Sequence, residues 1–264
     1  LTFGSDVSAP SAAYISEQLN LPGNCTSAIN ILTNKALFRE FLNKNALQKT
    51  NFRSFHEKDK DKVEDYIKSI SLPIVIKPVD SSGSKGVFII KNTDNTKGKI
   101  ETAFNESISK TIIVEDYVAK IGKQVCGDGF MERGKLKFIY FGDGHFYHDT
   151  GYNAPWGETF PSTHNIDVLE KAKAKIENIL VGAGFFQGPF NHDIFILDNN
   201  ECFVNELGPR SGGNYIPQAI YLKTGYDMIE GAVEIALDFN YKLTQKHPED
   251  EAFYSCYMIH SKSD

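Results

Sequence analysis

The run Leu72-Pro73-Ile74-Val75-Ile76-Lys77-Pro78-Val79-Asp80-Ser81-Ser82-Gly83-Ser84-Lys85-Gly86-Val87 sets a lysine near the end of an apolar strand and follows it with a Gly/Ser loop. A desolvated ammonium is costly unless an anion meets it. Pro78 fixes the backbone direction beside it, and small loop residues let backbone N–H groups approach phosphate oxygens. Lys77, Ser82, Gly83, Ser84, Lys85 and Gly86 therefore read as a phosphate-binding set, with a flexible hairpin and a snorkelling lysine as the plain alternative. In protein kinases the glycine loop precedes the strand lysine; here it follows. Neither GxxxxGK[ST] nor GxGxxG occurs, which excludes a P-loop and gives no support to a dinucleotide fingerprint.

A second set lies in Asn191-His192-Asp193-Ile194-Phe195-Ile196-Leu197-Asp198-Asn199-Asn200-Glu201-Cys202-Phe203-Val204-Asn205-Glu206. Asn199-Asn200 suits a two-residue type I′ turn, which pairs 198 with 201, 195 with 204 and 193 with 206. Strand alternation then puts Asp193, Phe195 and Leu197 on one face with Cys202, Val204 and Glu206. Two facing carboxylates on an apolar face, with Cβ atoms on the order of 5 Å apart, repel unless a cation lies between them. All-oxygen ligation suits Mg²⁺ or a like divalent ion such as Mn²⁺, completed by phosphate oxygens; a register error leaving one acid in solvent is the alternative. Arg210 follows in Gly208-Pro209-Arg210-Ser211, four residues past Glu206, where a guanidinium can stabilise charge on a transferring phosphoryl group; a surface arginine in a turn is the bland reading. His145-Phe146-Tyr147-His148 reads as structural, since its histidines point to opposite faces of a strand, and Trp156 either lines an acceptor pocket or packs.

The elements that must hold these groups follow from periodicity. Helices are expected at 11–19, 33–42 (with Leu37, Phe38, Phe41 and Leu42 buried, Lys35 and Arg39 sharing another face), 57–70, 100–108, 167–181 and 226–239. Strands are expected at 72–79, 87–91 and 111–118, with hairpins at 125–141 and 190–207. Their irregular alternation favours α+β lobes over one doubly wound sheet. The 264 residues allow one large domain or two small ones. A net charge of −6 argues against a nucleic-acid binder, and no apolar run reaches the ~18 residues of a membrane span. Four dispersed cysteines without a CxxC pair fit a reducing cytoplasm, so the Asn24-Cys25-Thr26 sequon reads as coincidence. The strand-like Leu1-Thr2-Phe3 without a leading Met, and the strand-like run from Tyr254 to His260, suggest a module cut from a longer protein.

A basic strand and loop, an acidic hairpin and an arginine loop, in that order, resemble the ATP-grasp superfamily, and within it the carbamoyl-phosphate synthase large chain and related carboxylate–amine ligases. The likeness runs from about Ile29 to Ile220 and implies an α+β fold of two lobes with the nucleotide site between them. On this likeness residues 1–32 are a remnant of a preceding domain, 33–118 a helix plus a small lid lobe, and 119–264 a larger lobe with a truncated end. Thr33-Asn34-Lys35 with Arg39 resembles the segment that contacts nucleotide phosphates, which assigns Lys35, and Lys77 becomes the α-phosphate contact. Val114-Glu115-Asp116-Tyr117-Val118 resembles the hinge that reads adenine, through Glu115 and Val118. Asp193 and Glu206 resemble the magnesium-bridging acids and Arg210 the catalytic arginine. Two positions depart from the pattern: Gly208 stands where the family has Asn, and Lys120 or Gln124 where it often has an acid. The likeness implies ATP, Mg²⁺ and ADP-forming ligation, with a carboxylate activated as an acyl phosphate and then attacked by an amine or similar nucleophile. Partners are then ATP, small-molecule carboxylates and nucleophiles, and the flanking domains of the full protein, with no nucleic acid or membrane; the oligomeric state, a homodimer included, stays open. A non-catalytic nucleotide-binding module, or a small-molecule kinase on the same fold, are the competing readings.

Overall fold

In a computed structural model, the description covers residues 4–146, 155–237 and 240–259. The expected strand at Leu1–Phe3, His148, and the ends of the last helix and of the C-terminal run lie outside the described residues. The fold is α+β, as expected, and its contacts divide it into two compact units, 33–119 and 1–32 with 120–264.

The first unit is a four-stranded antiparallel sheet in the order β1 (Phe52–His56), β4 (Thr111–Asp116), β2 (Ile74–Pro78), β3 (Phe88–Ile90). Period-two alternation sends Ile74 and Ile76 of β2 and Ile112 and Val114 of β4 into one core, where α4 (Asp61–Lys68) and α5 (Thr96–Glu106) contribute Val63, Ile67, Ile100 and Phe104. The opposite face carries Lys77 and Glu115, because Lys77 pairs with Ile113 and Val75 with Glu115, making the two charged residues diagonal neighbours. Against them stands α3 (Lys35–Lys44), whose N-cap Asn34 accepts the N–H groups of Ala36 and Leu37. The expected buried stripe on α3 needs correction. Phe38 and Leu42 are buried, but Leu37 is exposed and Arg39 is fully buried in its place.

In the second unit six antiparallel strands run in the order β10 (Tyr254–Tyr257), β7 (Pro155–Phe160), β6 (Lys135–Phe146), β5 (Gln124–Glu132), β8 (Gly188–Ile196), β9 (Cys202–Gly208). Arg133 and Gly134, both with positive φ, close the β5–β6 hairpin. The long helix α6 (Ile166–Ala183) ends on left-handed Gly184 and buries Ile176, Ile179 and Leu180, as its periodicity predicts. Two further helices, α7 (Ile216–Thr224) and α8 (Met228–Leu237), cover the sheet face that carries Phe130 and Phe160. α1 (Ala9–Gln18) and α2 (Thr26–Thr33) complete the described helices. β1, β7, α2 and α7 were not expected from sequence, and the remaining boundaries differ from expectation by a few residues.

The β8–β9 hairpin corrects its expected register. Asn200 is left-handed, its N–H donates to the Leu197 carbonyl, and the Leu197 N–H donates to Glu201. That is a three-residue loop, a turn followed by one left-handed residue, rather than a two-residue I′ turn. It pairs Ile196 with Cys202 and Phe195 with Phe203, not 198 with 201 or 195 with 204. A bulge at Asn205 then skips one residue, so that Asp193 still faces Glu206.

Candidate functional site

In the first unit the candidate cations meet anions of their own chain. Lys77 Nζ lies 2.5 Å from Glu115 Oε1, and Arg39 Nε donates to Glu115 Oε2 at 2.8 Å. All three side chains are buried. Burial alone would raise the Glu115 carboxyl, yet Arg39 and Lys77 outweigh it and hold the pKa down at about 2. Burial lowers the Lys77 pKa against the pull of Glu115. Lys35 Nζ donates to the Ser81 carbonyl at the entry of the Gly/Ser loop, and the Lys35 N–H donates to Val79. Asp80 anchors that loop by accepting from Ser107 Oγ and from the N–H groups of Ile108 and Ser109. Beyond it Gly83, Ser84 and Gly86 all take positive φ, and residues 83–85 are exposed. Lys35, Lys77, Glu115 and the 82–86 loop thus belong to one unit, while Val118 follows the end of β4 and is half-buried.

In the second unit the ladders gather carboxylates on one sheet face. Cys126 pairs with Asp193, Asp128 with Asn191, Asp193 with Glu206, and Gly144 with both Gln124 and Glu158. Burial, then the neighbouring Glu206 charge, pushes the Asp193 carboxyl up to about 6, although Gln124 Nε2 donates to its Oδ1 at 2.9 Å. Two half-buried carboxylates that repel each other fit a divalent cation, which commonly takes one or two carboxylates plus phosphate oxygens. Among the described residues no group of three or more His, Cys, Asp or Glu assembles as a metal cluster, so the fit is to this duo. Arg210 is held on two sides, by Asp6 Oδ2 at 2.5 Å and the Ser211 carbonyl at 3.0 Å. Gly208 has a local reason: a Cβ there would stand 3.1 Å from Asp6 Oδ1 and 3.5 Å from Arg210 Cζ. A larger residue would press on the Asp6–Arg210 pair.

Sequence reasoning missed Asp6, Asp128, Glu158 and the contact of Gln124. Asp128 is fully buried and accepts from the Gly212 N–H and Asn191 Nδ2, and burial raises its pKa to about 7. Glu158 is likewise raised to about 7 by burial; Asn214 Nδ2 reaches its Oε1 at 3.5 Å, while its Oε2 is buried without a partner. These two acids therefore hold the loop that carries Arg210. Neither stands in a motif; only the pairing of distant strands reveals them. His145 bonds Thr159 and stacks on Trp156, which also stacks on Tyr257, so Trp156 packs.

Residues 33–149 match the family model of the phosphoribosylglycinamide synthetase ATP-grasp (A) domain. The chain is 25% identical over 243 residues to the uncharacterized protein y4rH of Sinorhizobium fredii, covering 88% of this chain and 47% of that protein. It is 31% identical over 160 residues to the formate-dependent phosphoribosylglycinamide formyltransferase of Francisella tularensis subsp. novicida, covering 55% and 36%. The chain thus spans about half or less of the curated relatives it matches. Among solved structures, the L-amino acid ligase of Bacillus licheniformis superposes with a TM-score of 0.79 at 18% identity, covering 98% of this chain and 61% of that one. Biotin carboxylase of Campylobacter jejuni gives 0.77 at 14% identity, covering 97% and 57%. Residues 33–149 are thus similar to an ATP-grasp domain, and nearly the whole chain shares the fold of these solved structures, with the lysine strand, the facing acids and the arginine loop in the order described above.

Proposed function

We propose that this chain is the nucleotide-binding part of an ADP-forming, ATP-dependent ligase that activates a carboxylate as an acyl phosphate and passes the acyl group to an amine or similar nucleophile. The observation that carries the reading is the Asp193–Glu206 pair, two half-buried carboxylates set face to face across paired strands, with the first driven up to about 6. In this reading Asp193 and Glu206 hold Mg²⁺, which when bound would neutralise phosphate charge. Lys77, Lys35 and the 82–86 loop hold the phosphates, and Glu115 and Val118 take the adenine side. Phosphoryl transfer asks the protein mainly for positioning and charge neutralisation. A substrate carboxylate oxygen attacks the γ-phosphorus, the bond to the β-phosphate oxygen breaks, and ADP leaves; Arg210 meets the charge on the transferring group. The nucleophile then attacks the acyl carbon, loses its proton, and expels phosphate.

The likeness to carbamoyl-phosphate synthase makes bicarbonate one candidate carboxylate. The Gly208 departure favours the second reading, a module that binds nucleotide without turnover. ADP release by the full-length protein, assayed with carboxylates and amines together and singly, separates the two. In that assay Lys77→Met should raise the ATP KM roughly 10- to 100-fold, the loss of a charge-assisted contact, and Glu206→Gln should abolish turnover. Unchanged ATP binding in both variants refutes the proposal.

A further inference from the structure

The second unit holds an open cavity of about 680 Å³ whose chemistry differs from that of the carboxylate face. One wall is the α8 stripe Ile229, Ala232, Val233 and Ala236, and small residues of α1 line it too. Arg210 and Ser211 line it as well. Among the described lining residues Arg210 is the only charged one. Its guanidinium has five N–H donors, of which one on Nη1 goes to the Ser211 carbonyl and one on Nη2 to Asp6. Ser211 Oγ is buried without a protein partner. The N–H of Gly212, which also lines the cavity, is taken by Asp128.

We infer that the cavity receives the body of the acceptor, and that the acceptor is a monocarboxylate with an apolar aliphatic or aromatic body and no phosphate group. This rests on the ligase reading, in which Arg210 meets the phosphoryl group that the reacting carboxylate attacks, so that carboxylate lies beside it. Size argues for a body: the volume lies within the ~300–1,000 Å³ of small-molecule sites. A three- or four-atom anion, on the order of two waters of about 30 Å³ each, would leave most of it to solvent. Charge argues against a phosphorylated sugar, since a dianion would meet a single guanidinium already shared with Asp6. The α8 wall itself offers no hydrogen bond and buries an apolar body, while the polar lining side chains Ser16, Asn24, Gln187, Asn214 and Gln218 belong to other segments.

The test is calorimetric titration of the full-length protein, with a non-hydrolysable ATP analogue titrated separately and then held at saturation. 4-Methylpentanoate and 4-phenylbutyrate should bind at least tenfold more tightly than bicarbonate or ribose 5-phosphate. Arg210→Gln and Ala236→Phe should each weaken the two apolar acids at least tenfold, and Ala232→Phe, on the same wall, serves if Ala236→Phe fails to fold. Equal or tighter binding of bicarbonate or ribose 5-phosphate overturns the inference, as does apolar-acid binding unaffected by the α8 variants. Binding of the analogue without either acid overturns this inference alone. Binding of the acids without the analogue overturns the ligase reading while leaving the cavity its occupant, and binding of neither overturns both.

Discussion

Glu115 satisfies two cations at once, and all three groups are out of water. Replacing it by Gln removes the carboxylate that both buried cations meet, which costs about 3–5 kcal/mol; urea unfolding of Glu115→Gln should show a loss of that size. Its depressed pKa adds a pH signature. The contribution is fully present above the unfolded value near 4.5 and disappears as pH falls through about 2. Asp128 behaves in the opposite sense. Burial raises it to about 7, so between roughly pH 4 and 7 the unfolded chain gives up this proton first and the fold loses stability as pH rises. The melting temperature of Asp128→Asn relative to the native chain should therefore climb between pH 5 and pH 8, whatever its offset at low pH. That Lys77 stands near the end of a buried strand with a Gly/Ser loop after it was legible from residue types alone. The ion pairs of Lys77 and Arg39 were not, because which residues of β4 face β2 depends on a register between strands separated by α5.

At the scale of elements, the β8–β9 hairpin shows where local rules succeed and where they stop. Two asparagines marked the turn correctly, but only Asn200 adopts left-handed φ, so the loop is one residue longer than the pair suggested. Asn200→Gly should be neutral or slightly stabilising, whereas Asn200→Val should cost about 1–2 kcal/mol in chemical denaturation, the price of a β-branched residue in that region. The missed elements share a physical reason: each lacks a clean period. β1 buries only Phe55 along its length, β7 is interrupted by Gly157, α2 carries no charged face, and α7 has Pro217 as its second residue. α6 was plain because seven of its residues are buried on one stripe.

Over the whole molecule, the α+β class and the order of the motifs could be read from the chain. The gathering of Asp128, Glu158, Asp193 and Glu206 could not, since it joins four strands that only the six-stranded sheet brings side by side. A ligand that binds only the folded form stabilises it by about 2.7 kcal/mol at 100 times its dissociation constant. For a chain of this length, where 1 kcal/mol moves the melting point by roughly 2–4 °C, saturating MgATP should raise it by about 5 °C or more. The rise should shrink in Glu206→Gln and in EDTA. Differential scanning fluorimetry of the three samples measures this directly.

The extra loop residue before β9 and the skipped residue within it are equal and opposite offsets. Either one alone would send Glu206 to the far side of the sheet; together they restore the parity that keeps it facing Asp193. Single-residue insertions or deletions anywhere from 198 to 205 should therefore be far more damaging than paired ones. A length change in this hairpin would be tolerated only when matched by its complement.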